Sequence, residues 1–418
     1  MFQAPRGTQD ILPEDEPYWR FLEDHIRDLA ALYGFRYLST PIFEDTNLFV
    51  RGVGEVTDIV EKEMYSFADK GNDHLTLRPE FTAGVVRAYL EHGMHVQPQP
   101  VKLYSLGPIF RYDRPQAGRY RQFTQVNFES IGEIDPAVDA EVIALSLAFY
   151  RAVGVSGVTM QLNSIGCPQC RPAYVAALKA YYAPQADQLC GDCRARLSRN
   201  PLRLLDCKVP GCQPLADAAP KTTQHLCPEC QDHFARLRAY LDIMGIAYTL
   251  NPRLVRGLDY YTKTTFEFWP ARAGSQSSLG GGGRYDGLAQ AIGGRPTPGI
   301  GVALGMERVI LELKSQQVAI PALPGPDACI VTMNEETRRV GVRLLADLRA
   351  EGIRVVMTFG QRSVKAQMKQ AASLNVHYVL LLGEDEVKSG TVTLRDMTTS
   401  TQRSIPVDQA AVLIGQQG

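Results

Sequence analysis

The sequence contains no apolar run approaching the length of a bilayer-spanning helix, which excludes an integral helical membrane protein. Its first stretch, residues 1–16, lacks a basic region followed by an apolar one, so no secretory signal is expected. There is no excess of positive charge. The net charge of -1 gives no global basic field, and a nucleic-acid partner would have to be held by local arginine clusters. No Gly-x4-Gly-Lys-Ser/Thr is present, which excludes a P-loop, and Gly52 and Gly54 lack the third glycine of a dinucleotide fingerprint. Repeats and low-complexity tracts are absent.

What is present is a globular composition: 418 residues, 45% hydrophobic and 21% charged. That length predicts two or three domains, each able to bury its own core. A cytoplasmic chain is expected, with its nine cysteines reduced or metal-bound rather than paired.

Apolar spacing predicts a helix over residues 18–33, stopped by Gly34, then a strand over 35–38. Strands are expected over 101–105 and 123–131, and a helix over 137–153. Residues 167–246 form a Cys-rich inserted module that carries eight of the nine cysteines. Beyond it come a strand over 264–269, the glycine run Gly280 to Gly283, and a strand entering a helix over 299–313. The glycines read equally as a tight turn or as a place where a ligand or another strand approaches the backbone.

Pro321 to Pro326 is the clearest linker. It separates a first domain, residues 1–322, from an α/β domain, residues 326–418. In the latter a strand (327–333) leads to Asn334, a cap for a helix with Glu335 and Glu336 in its first turn. Val340, Leu344 and Leu348 form that helix's buried stripe, and Gly352 ends it. Strands over 353–359 and 376–382, with a helix over 363–373 between them, complete a β-α-β-α-β unit. Cys329 belongs to its core.

Three polar clusters stand out. Arg256, Asp259, Tyr260 and Tyr261 crowd the mouth of the 264–269 strand, where a plain core strand has no use for them. The bland reading is a solvated surface turn. The loop from Gly107 to Phe123 carries Arg111, Arg114, Arg119 and Arg121 interleaved with Tyr112, Tyr120 and Phe123. Arginine offers fixed, bidentate donors to phosphate oxygens, and aromatic rings stack on purines. A solvated basic hairpin is the alternative. Finally, Gln125, Asn127 and Glu129 share one face of a strand, and Glu80 follows Leu77-Arg-Pro. Such a polar face is either wet or holds a small zwitterion.

The remaining cysteines fall as Cys167-x2-Cys170, Cys190-x2-Cys193, Cys207-x4-Cys212 and Cys227-x2-Cys230. This spacing fits structural zinc ions, two if all eight thiolates are ligands. Reduced buried thiols are the alternative, and disulfides the least expected state. Spacing leaves the pairing of the knuckles open.

Together these residues resemble the histidine–tRNA ligases (histidyl-tRNA synthetases), a family of class II aminoacyl-tRNA synthetases. The likeness runs from Arg6-Gly-Thr-Gln-Asp-Ile-Leu-Pro13 through Pro41-Ile-Phe-Glu-Asp-Thr46, the arginine-rich loop, and Gly301-Val-Ala-Leu-Gly-Met-Glu-Arg308. Its most specific parts are Leu254 to Glu267 and Gly280 to Asp286. The resemblance implies an α+β fold: an antiparallel class II sheet flanked by helices, a Cys-rich insertion, and a C-terminal α/β anticodon-binding domain. It implies a homodimer and four ligands: ATP, Mg2+, L-histidine and tRNA(His). Histidine would be adenylated with loss of pyrophosphate, then esterified to the tRNA with loss of AMP.

The resemblance also implies roles. Arg111, Arg256 and Arg308 would be catalytic, with Arg111 on the α-phosphate, Arg308 on the γ-phosphate, and Arg256 on the α-phosphate and the histidine carboxylate. Arg121 would join them on ATP, and Phe123 would lie against adenine. Glu80, Thr82 and Gln125 would hold the α-amino group. Glu129 and Tyr261, with Tyr260 beside them, would recognise the imidazole. Arg114 and Gln116 would meet the tRNA acceptor end. Phe81 stands where the family usually has glycine, so its bulk is expected to bear on the amino-group pocket. Asp259 is left to supporting the turn. Two rivals carry different functions. One is a catalytically silent paralogue such as the regulatory subunit of ATP phosphoribosyltransferase, in histidine biosynthesis. The other is a non-enzymatic RNA-binding protein with zinc knuckles. The silent paralogues usually lose the C-terminal domain and parts of the histidine-specific segments, which this chain keeps. The RNA-binding protein would not need Arg256, Glu80 and Arg308 together.

Overall fold

Side chains along Val101–Phe110 alternate between buried and half-buried, the signature of a strand with one face in a core. It is β2 of an eight-stranded sheet in the computed structural model, which describes residues 2–55, 57–271, 278–360 and 362–415. The others are β1 (Arg36–Tyr37), β3 (Gln122–Ile131), β4 (Thr159–Ser164), β5 (Thr249–Leu250), β6 (Thr262–Trp269), β7 (Gly280–Arg284) and β8 (Gly299–Gly305). The spatial order is β1-β2-β3-β8-β7-β6-β4-β5. The six central strands are antiparallel, as expected. The two edge pairs are parallel, which the sequence reading did not anticipate. Parallel neighbours need a long crossover, and residues 38–100 and 165–248 supply one each.

One core packs the helices Glu16–Leu32, Pro136–Ala152 and Met306–Ser315 around Val126, Phe128, Phe266, Phe268, Ile300 and Val302. Leu22 and Ile26 of the first helix are fully buried there, which is the stripe predicted for it. A small antiparallel sheet (Phe43–Asp45, His74–Leu77 and Tyr65–Ala68, in that order) carries exposed Phe43 and Phe67. The Cys-rich insertion leaves the sheet after β4 and returns at β5. It is built from the helices Arg171–Tyr182, Gly191–Arg199 and Pro228–Ile243 with short helical turns between them.

The glycine run is strand, not turn. Built on the backbone, a Cβ at Gly282 would lie 2.0 Å from the Gly301 carbonyl oxygen. One at Gly283 would lie 2.5 Å from the Thr264 oxygen and 2.8 Å from the Tyr261 ring. Only glycine allows β6, β7 and β8 to close up while Tyr261 lies over β7.

The chain divides into two compact units, Met1–Pro321 and Ala322–Gly418. The second holds a five-stranded sheet in the order Val355–Met357, Ala328–Thr332, Tyr378–Leu382, Thr391–Asp396 and Gln402–Pro406. The first three strands are parallel, as the β-α-β-α-β reading required. The last two add antiparallel and lie beyond that reading. Asn334 caps the helix Glu335–Ala350, its side chain accepting from the Thr337 N–H at 3.0 Å. Cys329 is buried, as expected.

Candidate active site

The inner face of the large sheet is polar by construction. On β3, Gln125, Asn127 and Glu129 point the same way, opposite Gly305, Ala303 and Gly301 of β8. Small residues on β8 and glycines on β7 leave open space above this face. The result is a cavity of about 250 Å³ lined by Glu80, Thr82, Arg111, Arg119, Phe123, Gln125, Asn127, Arg256, Tyr260, Tyr261, Tyr285, Glu307 and Arg308, among others. Segments that are hundreds of residues apart in sequence converge here.

Glu80 is buried at the start of the helix Thr82–Glu91. Its carboxylate accepts from the Thr82 and Ala83 N–H groups at 2.6 and 2.9 Å, and Tyr260 Oη lies 3.4 Å away. Burial pushes its pKa up, against those two N–H groups. Phe81 does not enter the cavity. It is buried in the apolar cluster with Phe49 and Val85, under the Arg78 guanidinium at 4.3 Å, so its bulk falls on the core rather than on an amino-group pocket.

Glu129 lies under the cavity floor rather than in its lining. Thr82 donates to one carboxylate oxygen and Tyr285 to the other, both at 2.7 Å. Burial raises its pKa to about 7, with Thr82 and Tyr285 opposing the shift. Thr82's hydroxyl is therefore engaged with Glu129. Tyr260, Tyr261 and Tyr285 are buried, and burial raises all three phenols, so they stand as hydrogen-bond donors.

The cations form two groups. Arg256 is ion-paired with Glu267 and lies over the Tyr261 ring, 5.7 Å from its centroid. Burial works to lower its pKa, but Glu267 and Tyr261 outweigh it, and the net shift is upward. Trp269 Nε1 donates to the other Glu267 oxygen at 2.9 Å. Across the cavity, Arg308 donates to the Gly118 and Ser278 carbonyls at 3.0 and 2.6 Å. Burial and the guanidiniums of Arg119 and Arg111 hold its pKa below the ordinary value. Arg111 donates to the Pro79 carbonyl at 2.8 Å, with its guanidinium 5.8 Å from the Phe123 ring centroid. Like charges gathered this way attract a polyanion.

Buried side-chain atoms without a hydrogen-bond partner occur at many places among the described residues, and three of them are Gln125 Oε1, Asn127 Oδ1 and Arg256 Nε. Buried polar atoms without partners are costly, and all three belong to residues lining this one cavity.

Three residues named from sequence stand apart. Arg121 stacks on Tyr112, 3.9 Å from its centroid, and with Arg114 lines a neighbouring cleft rather than the cavity. Gln116 pairs with Arg119 at the tip of the arginine-rich loop. Conversely, sequence reasoning gave no role to Tyr285, Glu267 or Glu307, and named Asn127 only as a member of the polar face. Glu307 accepts from the Thr124 N–H at 2.8 Å, and burial raises its pKa to about 7. Each lay inside or beside a motif already quoted, so adjacency was the available signal. Asp259 gains a structural place: its N–H donates to the Val53 carbonyl, and Asn200 of the insertion donates to its carboxylate at 3.3 Å.

The eight paired cysteines gather into two quartets: Cys167, Cys170, Cys227 and Cys230, and Cys190, Cys193, Cys207 and Cys212. The pairing is nested, the outer knuckles closing on each other around the inner ones. Within each quartet the sulfurs all lie within 4.8 Å of one another. Four separations are 3.8 to 3.9 Å, close to the roughly 3.8 Å edge of a tetrahedron with zinc–sulfur bonds of about 2.3 Å.

A family model described as histidyl-tRNA synthetase matches residues 7–309, and one described as anticodon binding domain matches residues 327–417. The chain belongs to the histidyl-tRNA synthetase family. It is 53% identical over 417 residues to a histidine–tRNA ligase of Dehalococcoides mccartyi, covering 100% of both chains. It is 52% identical to that of Desulforudis audaxviator, covering 98% of this chain and 97% of the relative. The crystal structure of apo S. aureus histidyl-tRNA synthetase superposes with a TM-score of 0.83 at 39% identity, covering 99% of this chain and 100% of the other. Full-length likeness at this level does not favour the silent-paralogue reading. In this family's terms the sheet is the class II sheet and the second unit's fold is the anticodon-binding α/β domain. No helix among the described residues is long and apolar enough to cross a membrane.

Proposed function

We propose that this chain is an ATP-dependent histidine–tRNA ligase whose cavity performs both half-reactions. In the first, the histidine carboxylate attacks the α-phosphorus of ATP and pyrophosphate leaves. In the second, a terminal ribose hydroxyl of tRNA(His) attacks the carbonyl of the adenylate, and AMP leaves. The observation that carries this reading is the convergence of Arg111, Arg256 and Arg308 with Glu80, Gln125 and Tyr261 in one cavity. Neither step needs a covalent nucleophile from the protein; positioning and charge neutralisation suffice.

In this reading Arg111 and Arg256 take the α-phosphate and Arg308 the γ-phosphate, with Phe123 against adenine. Mg2+ bound to the triphosphate would supply further neutralisation of its charge beside these arginines. Arg121, from its place on Tyr112, supports the nucleotide side, and Arg114 and Gln116 face the tRNA acceptor end. Glu80 and Gln125 take the α-amino group. Thr82 helps through Glu129, whose oxygen it already holds. Tyr261, with Tyr260 beside it, recognises the imidazole, and Glu129, beneath the floor, acts on it through the Thr82 and Tyr285 hydroxyls it holds. A site that hydrogen-bonds a polar ring rejects apolar isosteres strongly, because its buried partners are left unpaired.

Residues 326–418 read the anticodon, and the protein works in the cytoplasm, where its tRNA is charged. Exposed Phe43 and Phe67, whose ring centroids lie 6.5 Å apart, form an apolar surface suited to a homodimer interface, and sedimentation should find a dimer. The nested quartets each hold one structural zinc ion. ATP–pyrophosphate exchange across the amino acids tests the central reading. Exchange with histidine alone is expected, whereas exchange with another amino acid, or with none, would overturn it.

A further inference from the structure

The outer quartet abuts the segment that carries Tyr261. The loop entering Cys167 grips Lys263 by both backbone groups: the Lys263 N–H donates to the Gly166 carbonyl at 2.9 Å, and the Ile165 N–H donates to the Lys263 carbonyl at 2.8 Å. Lys263 has φ +51°, a left-handed conformation that a long L side chain adopts only when its surroundings hold it. It sits where the pairing of β6 with β7 slips register, between Thr262 and Thr265 opposite Arg284 and Gly283.

Its side chain is held from the other knuckle. The Lys263 side chain is only 5% exposed, and its ammonium pairs with Glu229 at 2.8 Å and lies 3.8 Å from Asp286. Glu229 stands between Cys227 and Cys230 in the chain, and Asp286 follows Tyr285, the residue that holds Glu129. Arg171, the residue after Cys170, donates through its guanidinium to the Tyr261 carbonyl. Both knuckles of one quartet thus reach the residues flanking Tyr261 and Tyr285. The inner quartet's module touches the site's border differently, through Asn200 on Asp259 and through Arg196 and Arg203 on Asp58.

We propose that a zinc ion in the outer quartet is a positioning element of the histidine pocket: by locking the two knuckles against Lys263, it sets Tyr261 and Tyr285 and with them the affinity for L-histidine. This rests on the reading that the quartets hold zinc and that the cavity holds histidine. The ion touches no substrate. Its effect therefore falls first on the histidine side of the cavity: of the nucleotide-side groups only Arg256 packs on Tyr261, while Arg111, Phe123 and Arg308 stand on the Gly107 to Phe123 loop, β3 and the helix that follows β8.

The test compares full-length wild type with Cys227→Ser/Cys230→Ser and with Glu229→Gln, which keeps all eight paired thiols. Zinc is counted by metal analysis, and KM for L-histidine and for ATP are measured separately in pyrophosphate exchange. Wild type should carry two zinc ions and the double variant one. The double variant should raise KM for histidine by about ten-fold while KM for ATP stays within about two-fold. A global folding defect would move both. Glu229→Gln should keep both zinc ions yet raise KM for histidine in the same direction. A double variant that loses one zinc ion and retains the wild-type KM for histidine would overturn the coupling while leaving the zinc reading intact. Wild type purified without zinc would overturn the zinc reading itself. An unchanged KM in Glu229→Gln would remove Lys263 as the link.

Discussion

The strands Gly280–Arg284 and Ala328–Thr332 are both five residues long, flanked by a strand on each side and buried at every position. They put that burial to opposite uses. Ala328–Thr332 fills its surroundings with Ile330 and Val331 against Leu344, Leu380 and Val379, and its burial stabilises the unit. Gly280–Arg284 brings no side chain until Arg284, whose guanidinium is ion-paired with buried Asp139 at 2.7 Å. Glycine in a strand weakens it, so this strand sacrifices stability for room. The room is taken by Tyr261, Arg256 and the cavity. Burial alone therefore does not separate a core strand from a site strand; what the strand leaves vacant does.

The largest break in this comparison is Gly283→Ala. The new Cβ meets a backbone oxygen at 2.5 Å and the Tyr261 ring at 2.8 Å. A backbone oxygen cannot swing aside, so β6 and Tyr261 must shift. Histidine-dependent pyrophosphate exchange should fall about a hundred-fold or more, with about 1–3 kcal/mol of stability lost to overpacking. Near-normal exchange would show that close approach over β7 is not what the site requires.

A second break removes the contrast's other half. Deleting residues from Pro326 onward should abolish efficient charging of tRNA(His) while leaving adenylate formation within a few-fold of wild type. Equal losses in the two assays would count against anticodon reading by this domain.

The sequence made the second unit's first three strands legible, because their β-branched runs and the Asn334 cap obey local rules. Thr391–Asp396 and Gln402–Pro406 escaped. The first carries a strand's alternation, half-buried Thr391, Thr393 and Arg395 against buried Val392 and Leu394, over only two apolar residues, and the second is mostly exposed, so hydrophobicity marks the first weakly and the second not at all. In the catalytic sheet most elements were legible from periodicity, but the parallel edges depend on where long crossovers land. The site was legible through its motifs. What they could not supply was contact: that Thr82 is spent on Glu129, that Tyr285 holds the other oxygen, and that Arg256 leans on Glu267. Those partners lie 11 to 156 residues away in the chain. The nesting of the cysteine quartets is likewise a fact of tertiary structure, since the spacings permit any of the three ways of pairing four knuckles.

A third prediction sharpens the cost of the polar site. Glu129 and Glu307 each titrate at about 7 in the folded chain against an ordinary 4.5, chiefly through burial. Between those values the folded chain binds more protons than the unfolded one, so unfolding free energy falls as pH rises across that window and levels off above it. Melting of the ligand-free protein should show this loss between about pH 5 and pH 8. Glu129→Gln, which cannot ionise, should flatten part of it. An unchanged slope in that variant would mean that Glu129 is already ionised in the folded chain throughout the window.

The smallest expected effect is on the strand that packs. Ile330→Val removes one methylene from a fully buried side chain and should cost about 0.5–1.5 kcal/mol, read as a lower denaturation midpoint. Histidine-dependent pyrophosphate exchange should stay at wild-type rates, because no atom of Ile330 lines the cavity. The pair of variants then makes the comparison quantitative. Adding one carbon to the glycine strand destroys function for a modest loss of stability, and removing one from the apolar strand costs similar stability and no adenylation. If Ile330→Val slowed exchange as much as Gly283→Ala does, the two strands would not be doing different jobs, and the division between a packing strand and a site strand would fail.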